Sequence, residues 1–206
     1  MKLLIGTHNP AKQQDMIRSF SVEGASQDMQ FDFLLPKDLS VSADADETGT
    51  TFEENSKIKA EFFYKASLMP TVGDDGGIMI AELNNEPGVY TRRWIGHDNA
   101  TDEEIIQYVL KRMAHLKGEE QRRTVFATCV TYFDGTNFFQ ESGRTEGYIA
   151  EKALTNYKSN GFPMRALFVH KNGKYYDELT PKEHEMYNHR DKAVKLLVAK
   201  IKHVID

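Results

Sequence analysis

Two kinds of apolar pattern follow one another along this chain, and their order predicts its fold. In the first part, strand-like runs alternate with helical patterns, as where Leu3–Ile5 precedes a helical pattern over Ala11–Phe20. In the middle, Asp134-Gly135 and Asn172-Gly173 are typical β-hairpin turns. Helices that alternate with strands, followed by hairpins, predict an α/β fold: a mixed elongated sheet with flanking helices and two lobes around a central cleft.

Capping signals and turns divide the rest of the chain. Thr51 with Glu54 begins a helix that we expect to end near Leu68, and Thr101 with Glu104 begins another. A final amphipathic helix carries Ala193, Leu196, Leu197, Ile201 and Val204. Strands are predicted at Phe31–Leu35, Ile78–Leu83, Thr124–Phe133 and Ala166–His170, with return strands at Phe138-Phe139 and Tyr175-Tyr176. The pair Asp74-Asp75 follows the run Thr71-Val72-Gly73 and precedes the strand that begins at Ile78, so it is expected between two strands.

Composition excludes several classes of protein. The 206 residues are 40% hydrophobic and 28% charged, so we expect the whole chain, residues 1–206, to fold as a single domain. The formal net charge of -5 gives no basic field for a nucleic acid polymer. No apolar run approaches the roughly 20 residues that span a bilayer, and no signal peptide is apparent, so we expect a cytoplasmic location and no membrane partner. The one cysteine, Cys129, lies in an apolar run and is interpreted as a core residue.

The segment from Gly6 to Lys12 contains groups that suit phosphate oxygens. Here a predicted strand ends and a helix begins, so backbone N–H groups, the Thr7 hydroxyl, the Asn9 amide and the Lys12 ammonium face one region. The segment is not a Walker loop, because the pattern G-x-x-x-x-G-K-[ST] is absent from the chain. An ordinary helix cap with a solvated lysine is the alternative.

Carboxylates come from two separate loops. Asp44, Asp46 and Glu47 precede one predicted helix, and Asp74-Asp75 end a predicted strand. Mg²⁺ prefers such oxygen ligands and bridges to substrate phosphates. Repulsion between adjacent carboxylates can also raise the pKa of one of them, so that it accepts a proton from an attacking water. Acidic loops are also common on solvated surfaces, which is the alternative.

Three further groups stay open between a binding role and a structural one. Lys57 and Lys59 lie on the helix that begins near Thr51, where either can approach phosphates, pair with Asp74 or Asp75, or face solvent. Arg190, in Asn188-His189-Arg190, can donate two hydrogen bonds to a phosphate or a purine edge, or simply mark a helix start. Phe162 can stack on a base or belong to the core.

Taken together and in this order, these segments resemble the inosine triphosphate pyrophosphatase family over nearly the whole chain. Residues 7–12, T-H-N-P-A-K, are similar to the family's T-x-N-x-x-K phosphate loop. Residues 47–55, E-T-G-T-T-F-E-E-N, followed by Ile58-Lys59-Ala60, match its E-T-G-x-T-F-x-E-N…K-A block, which is the most specific match. Residues 74–77 with 87–93 are similar to D-D-S-G…P-G-[VI]-Y-S-A-R, and His189-Arg190 matches S-H-R.

The resemblance implies a nucleotide-binding cleft and the hydrolysis of non-canonical purine nucleoside triphosphates to monophosphate and pyrophosphate. It implies Mg²⁺ as cofactor, a nucleoside triphosphate as substrate and a homodimer. Carried over by position, Glu47 and Asp75 hold the metal, with Asp46 as a substitute, and Asp75 is the general base, helped by Asp74, with Lys59 neutralising charge on the triphosphate. The implied substrate-binding residues are Thr7, His8, Asn9, Lys12, Gly76, Phe162, Arg165, His184, His189 and Arg190.

Departures from the family pattern fall in the region that the resemblance assigns to the nucleobase. Where the family has G-F-G-Y-D-P, this chain has G-F-P-M-R-A, so Arg165 replaces an aspartate. His184 stands in place of a lysine, Asn188 in place of the serine of S-H-R, and Gly76 in place of the serine after the two aspartates. At position 165, a carboxylate that accepts hydrogen bonds is replaced by a guanidinium that only donates them. We therefore hypothesise that Arg165 lies in the base pocket and alters the choice of nucleobase.

Two other functions remain as alternatives. Residues 44–48, D-A-D-E-T, fit the D-x-D-x-T pattern of phosphatases that use an aspartyl nucleophile, although those enzymes need a strongly apolar strand directly before the motif. A nucleotide-binding module without turnover is the second alternative. Release of orthophosphate would favour the phosphatase, and tight binding without hydrolysis would favour the module.

Overall fold

A computed structural model describes residues 1–97, 99–157 and 161–205. Its strands are β1 Lys2–Ile5, β2 Asp32–Leu34, β3 Thr71–Ile80, β4 Glu86–Pro87, β5 Arg123–Phe133, β6 Phe138–Ile149 and β7 Phe168–His170. Its helices are α1 Pro10–Ser26, α2 Phe52–Ser67, α3 Asp102–Arg112, α4 Gly118–Gln121, α5 Pro181–Tyr187 and α6 His189–Ile205. The predicted mixed α/β fold with flanking helices is confirmed.

The strands form one mixed sheet in the order β2-β1-β3-β5-β6-β7, with β4 paired to β3. Strand β1 runs parallel to both β2 and β3, with Leu4 opposite Leu34 and Thr71. Strands β6 and β7 are antiparallel, and Tyr148 is opposite Val169. Parallel pairing of β1 with its two neighbours, and antiparallel pairing of β3 with β4 and of β6 with β7, agree with the predicted change from alternating elements to hairpins.

The chain divides into two compact units. The first comprises Met1–Gly76, Thr128–Gly143 and His189–Asp206, and the second comprises Gly77–Ala127 and Arg144–Asn188. Each has its own apolar core. The single domain over residues 1–206 stays a prediction. No helix among the described residues is both long and apolar enough to cross a bilayer.

In the first unit, helices α1 and α6 pack together beside β1. Asn9 caps α1, because its side-chain oxygen accepts from the N–H groups of Ala11 and Lys12. Asp191 joins the two helices through an ion pair with Arg18 at 2.7 Å and a 2.5 Å hydrogen bond from Ser19 Oγ. The apolar core includes Leu3, Ile5, Met16, Phe20, Val72, Val130, Leu197 and Ile201.

In the second unit, the predicted capping box of Thr101 and Glu104 is present at the start of α3. The buried face of α3 joins a core that includes Ile78, Ile80, Ile105, Ile106, Val109, Met113, Phe126, Met164, Phe168 and Tyr176. Arg122 is buried, and its guanidinium donates to the carbonyl oxygens of Met113, Leu116, Ile149 and Ala150. These bonds satisfy main-chain acceptors that would otherwise be buried without donors.

Two sequence-based predictions about strands are wrong. Asp74 and Asp75 lie inside one continuous strand, β3, and that strand ends at Ile80, where a 3-10 turn over Ala81–Leu83 begins. Their polarity suggested a loop, but side chains on both residues are satisfied by partners far away in the sequence. The return strand expected at Tyr175-Tyr176 is reduced to a single antiparallel bridge between Val169 and Tyr175, and a 3-10 turn over Tyr176–Glu178 follows directly.

Candidate active site

The first unit brings α2 unusually close to strand β3 at Gly73. A Cβ atom on Gly73 would lie 2.3 Å from the Ser56 carbonyl oxygen and 2.6 Å from the Ala60 nitrogen, so a side chain has no room there. The next two residues of β3 are Asp74 and Asp75. The close approach therefore sets side chains from one face of α2 beside these two carboxylates.

Asp75 is buried among cations and one amide. Asn55 Nδ2 donates to Asp75 Oδ2 at 3.1 Å, and the ammonium groups of Lys12 and Lys59 lie 4.0 and 3.9 Å from Oδ1. Burial raises the pKa of Asp75 above its ordinary value, the two lysines and the Asn55 hydrogen bond lower it, and the charge of Glu47 raises it further; the net direction is upward. A carboxylate with this balance suits the acceptance of a proton.

Asp74, its neighbour, is saturated with donors. Arg190 binds it with two nitrogens, at 3.2 Å to Oδ1 and 3.3 Å to Oδ2, and Lys12 Nζ lies 3.0 Å from Oδ2. The Thr128 hydroxyl donates to Oδ1 at 2.5 Å. Burial alone would raise its pKa, but Arg190, Lys12 and Thr128 together hold the pKa of Asp74 far below its ordinary value. Asp74 therefore stays ionised and fixed.

The ion pairs continue beyond Asp74 to the first helix. Arg190 Nη1 lies 2.6 Å from Asp15 Oδ2, and its side chain is 3% exposed. The chain Asp15, Arg190, Asp74, Lys12 alternates in sign, so each buried charge has an opposite neighbour. It links α1, α6 and β3 within the first unit. His189, also buried, begins α6, and its carbonyl oxygen lies so near Gly143 that a Cβ there would approach to 1.8 Å.

The N-terminal loop has the capping geometry that the sequence suggested. The Thr7 hydroxyl accepts from the Asn9 N–H at 3.2 Å, and Asn9 in turn caps α1. His8 Nε2 donates to the Ala43 carbonyl oxygen at 3.0 Å, which ties this loop to the acidic loop. The solvated alternative for Lys12 is wrong, because its ammonium is paired with Asp74. The carboxylates raise the pKa of Lys12, although burial acts in the opposite direction.

The acidic loop contributes Glu47 to the cluster but leaves Asp46 outside it. Glu47 Oε1 lies 2.8 Å from Lys59 Nζ, so Lys59 bridges Glu47 and Asp75. Asp46 is exposed, and its carbonyl oxygen accepts from Thr48 N–H. Among the described residues, no three acidic, histidine or cysteine side chains converge as a preformed metal cage. Two carboxylates from different elements nevertheless fit a hard cation that also takes oxygens from substrate phosphates.

The second unit collects three of the predicted base-pocket residues around Tyr176. The Arg165 guanidinium lies 3.9 Å from the centre of the Phe162 ring and 4.5 Å from that of Tyr176, so it makes cation–π contacts with both rings. His184 packs on Tyr176 at 5.5 Å between ring centres. Arg165 is buried.

Comparison with known proteins identifies the family. The Ham1 family model matches residues 3–200. The chain belongs to the Ham1 family. A relative from Thermus thermophilus, named dITP/XTP pyrophosphatase, is 35% identical over 96% of this chain and 90% of its own length. One of the same name from Leptospira interrogans is 31% identical over 98% and 97%. A HAM1 protein from Coxiella burnetii has a similar structure, with a TM-score of 0.80, 29% identity and coverage of 98% of this chain and 99% of its own.

Membership of the Ham1 family confirms the resemblance, and the structure adds residues that sequence reasoning missed. Asn55 was part of the matched block without a role, while Asp15, Thr128 and Tyr176 were not among the predicted site residues. Lys57 is 53% exposed, lies over the Phe138 ring and faces Glu61, so the surface interpretation holds for that lysine. Long-range pairing, such as that of Arg190 with Asp74, is invisible to local spacing.

Proposed function

We propose that this Ham1 protein is a nucleoside triphosphate pyrophosphatase that hydrolyses non-canonical purine nucleotides, such as XTP and dITP, to the monophosphate and pyrophosphate. The observation that carries the proposal is the buried Asp75, set between Lys12 and Lys59 and close to a second carboxylate, Glu47. Relatives named dITP/XTP pyrophosphatase, 31–35% identical over almost the whole chain, support the same reaction.

Charge neutralisation of the triphosphate falls to the two lysines. Lys12 and Lys59 present ammonium groups within 4.0 Å of Asp75, and both also donate to the Asp74 carbonyl oxygen at 3.3 Å. Fixed cations of this kind stabilise the negative charge that develops on phosphoryl oxygens in the transition state. Thr7, His8 and Asn9 lie on the loop that leads to Lys12 and supply hydrogen-bonding groups for the same oxygens.

A divalent cation is expected at the two carboxylates, and we propose Mg²⁺. Glu47 and Asp75 would hold it, with Asp46 able to join only if the exposed acidic loop rearranges. When bound, the ion polarises the phosphoryl oxygens and favours deprotonation of water. Both carboxylates contact the Lys59 ammonium, which holds them near one another.

Asp75 is the group that takes the proton from the attacking water. Asn55 donates to Oδ2, which leaves Oδ1 to accept the proton. In the protein without a bound cation, burial raises the pKa of Asp75 above its ordinary value, which favours this acceptance. Asp74 is unsuited to the same task, since Arg190, Lys12 and Thr128 hold it ionised. We therefore assign Asp74 the role of a positioning residue for Lys12 and Arg190.

The test is incubation with XTP, ITP, dITP and the four ordinary nucleoside triphosphates, with Mg²⁺ present. Pyrophosphate and orthophosphate are measured separately. We expect pyrophosphate and monophosphate in equal amounts, with XTP, ITP or dITP turned over fastest, and no orthophosphate. Orthophosphate as the direct product, or tight nucleotide binding without hydrolysis, would overturn the proposal.

The aspartyl-phosphatase alternative gains no support from the structure. No strand precedes Asp44 and Asp46 in the described segment from residue 40 to 51, and both aspartates are exposed. A nucleophile of that class needs a buried strand end to hold it in line with the phosphate. The alternative of binding without turnover is likewise not favoured, because Asp75 and both lysines are in place.

A homodimer, from the family resemblance, and a cytoplasmic location, from the lack of an apolar run of membrane-spanning length in the sequence, complete the proposal. Light scattering after size-exclusion chromatography tests the first, and we expect twice the mass of a single chain. Fractionation of the native cells tests the second. A monomer at micromolar concentration would remove the homodimer without affecting the proposed reaction.

A further inference from the structure

Asn55 has an unusual position at the boundary between the acidic loop and strand β3. It lies on the first turn of α2, and its side chain is fully buried. Both the oxygen and the nitrogen of its carboxamide form hydrogen bonds. The oxygen accepts from Gly49 N–H at 2.8 Å, and the nitrogen donates to Asp75 Oδ2 at 3.1 Å. One side chain therefore connects the loop that carries Glu47 with the carboxylate of Asp75.

The absence of a side chain at Gly49 allows this contact. A Cβ atom there would lie 2.6 Å from Asn55 Oδ1 and 2.6 Å from Glu54 Cβ, so any side chain would push the amide away. Glu54 adds to the closure of the loop, because its carboxylate accepts from Thr50 N–H at 2.6 Å and from Thr51 N–H at 3.2 Å. The loop from Glu47 to Thr51 is thus held against the start of α2 by two separate side chains.

We propose that Asn55 is a positioning residue that sets the spacing between Glu47 and Asp75 and thereby determines the affinity for the divalent cation. This inference rests on the proposed function. Only an amide both donates and accepts at this length: an ionised aspartate has no donor for Asp75 and would add a third negative charge. Removal of the amide would release the loop from Asp75, and groups that orient metal ligands typically contribute about 10–100-fold to affinity.

A purely structural role for Asn55 makes a different prediction. Ser56, the next residue, is equally buried, but its hydroxyl contacts Thr131 at 2.7 Å and the Glu53 carbonyl oxygen at 3.1 Å. Substitution of Ser56 therefore disturbs the same helical turn without touching the acidic loop. Ser56→Ala is the matched control for Asn55→Ala. Gly49→Ala perturbs the same hydrogen bond from the loop side.

The experiment measures Mg²⁺ and Mn²⁺ binding by titration calorimetry without nucleotide, the Mg²⁺ concentration that gives half-maximal rate, and the midpoint of thermal unfolding. We expect Asn55→Ala and Gly49→Ala to weaken binding of both ions by about tenfold or more, and to raise the half-saturating Mg²⁺ concentration by a similar factor. Excess Mg²⁺ should recover part of the lost rate. Ser56→Ala should keep the wild-type ion affinity.

The inference is overturned if Asn55→Ala binds the ions no more weakly than Ser56→Ala at comparable thermal stability. Should Asn55→Ala fail to fold, Gly49→Ala decides by the same measurements, and unchanged ion affinity in that variant overturns the inference too. Failure of the proposed function is a separate result, since it would appear as wild-type protein that releases no pyrophosphate.

Discussion

At the scale of single residues, the most informative contrast is between two adjacent aspartates of the same strand. Asp74 is bound by Arg190, Lys12 and Thr128, whereas Asp75 has longer contacts with its lysines and one amide hydrogen bond. The sequence predicted both as site residues. The family resemblance implied Asp75 as the general base with help from Asp74, but the physical cause of the division could not be predicted, because it depends on Arg190, which is 116 positions away from Asp74.

Asp74→Asn should destabilise the protein in a pH-dependent way. The substitution leaves Arg190 with Asp15 as its carboxylate partner, and breaking a buried pair typically costs about 3–5 kcal/mol at neutral pH. Because the folded-state pKa of Asp74 is far below the unfolded value near 4, this stabilisation is complete above about pH 5 and declines as pH falls below about 4. Urea unfolding at pH 7 and pH 3 should show that the difference in unfolding free energy between the wild type and Asp74→Asn is smaller at pH 3.

Asp75→Asn, unlike Asp74→Asn, should not destabilise the protein. A carboxylate whose pKa is raised in the folded state makes the charged form unfavourable at neutral pH, so the neutral amide should keep or increase the thermal midpoint. The rate should fall by about 10²–10⁴-fold with loss of the general base. Calorimetry checks the thermal midpoint, and steady-state kinetics on the same preparation check the rate. A variant that is inactive only because it unfolds would contradict this assignment.

Arg165→Asp tests the hypothesis that this residue reads the nucleobase. A guanidinium only donates, so the wild type should favour the 2-oxo group of xanthine over the 2-amino group of guanine. We expect the ratio of kcat/KM for XTP to that for GTP to fall by about tenfold or more in the variant. Arg165→Lys is the control that keeps the charge but loses the planar stack on Phe162 and Tyr176. An unchanged ratio in Arg165→Asp removes the hypothesis.

At the scale of secondary-structure elements, local signals were reliable where the decisive contacts are local. Both predicted capping boxes, at Thr51 and Thr101, are present with their glutamate partners. Strand β3 was misread as two strands because two charged residues and two glycines interrupt its apolar pattern. The tight packing of α2 on β3 at Gly73 likewise had no signal in spacing, since a glycine in a strand has several explanations.

Gly73→Ala should disturb this packing and the site together. The added methyl group would meet main-chain atoms of Ser56 and Ala60, which cannot turn aside as a side chain would. We expect a loss of stability of about 1–3 kcal/mol from overpacking, and a reduced rate because Asn55 and Lys59 move with the helix. Thr51→Ala, which removes the cap at the start of α2, is the comparison: it should cost about 1 kcal/mol. Chemical denaturation measures the loss of stability in each variant, and kinetics measure the rate. If Thr51→Ala reduced the rate as much as Gly73→Ala does, the expectation for Gly73 would be contradicted.

At the scale of the whole molecule, the apolar cores are distinct from the cluster of charged side chains at the site. Each compact unit has its own apolar core, and Glu47 and Asp75 have lysine partners. The fold class and family could be read from the sequence because apolar patterns and motif blocks extend over almost its full length. The buried charges of the site could not, because they pair elements from both ends of the chain.

Chelation should therefore abolish the activity and spare the fold. With excess EDTA, we expect hydrolysis to fall to background while the far-UV circular dichroism spectrum stays unchanged and the thermal midpoint shifts by only a few degrees. Addition of Mg²⁺ beyond the chelator should restore the rate. Unfolding of the protein in EDTA would show instead that the ion is part of the structure.

The buried pairing of Arg190 with Asp74 also has a consequence for biosynthesis. Every carboxylate and lysine of the cluster is encoded before residue 76, yet the guanidinium that fixes Asp74 arrives with helix α6. A nascent polypeptide that stalls on the ribosome before residue 189 therefore displays the acidic and basic groups without the counter-charge that organises them. We therefore expect a chain that terminates before α6 to be inactive.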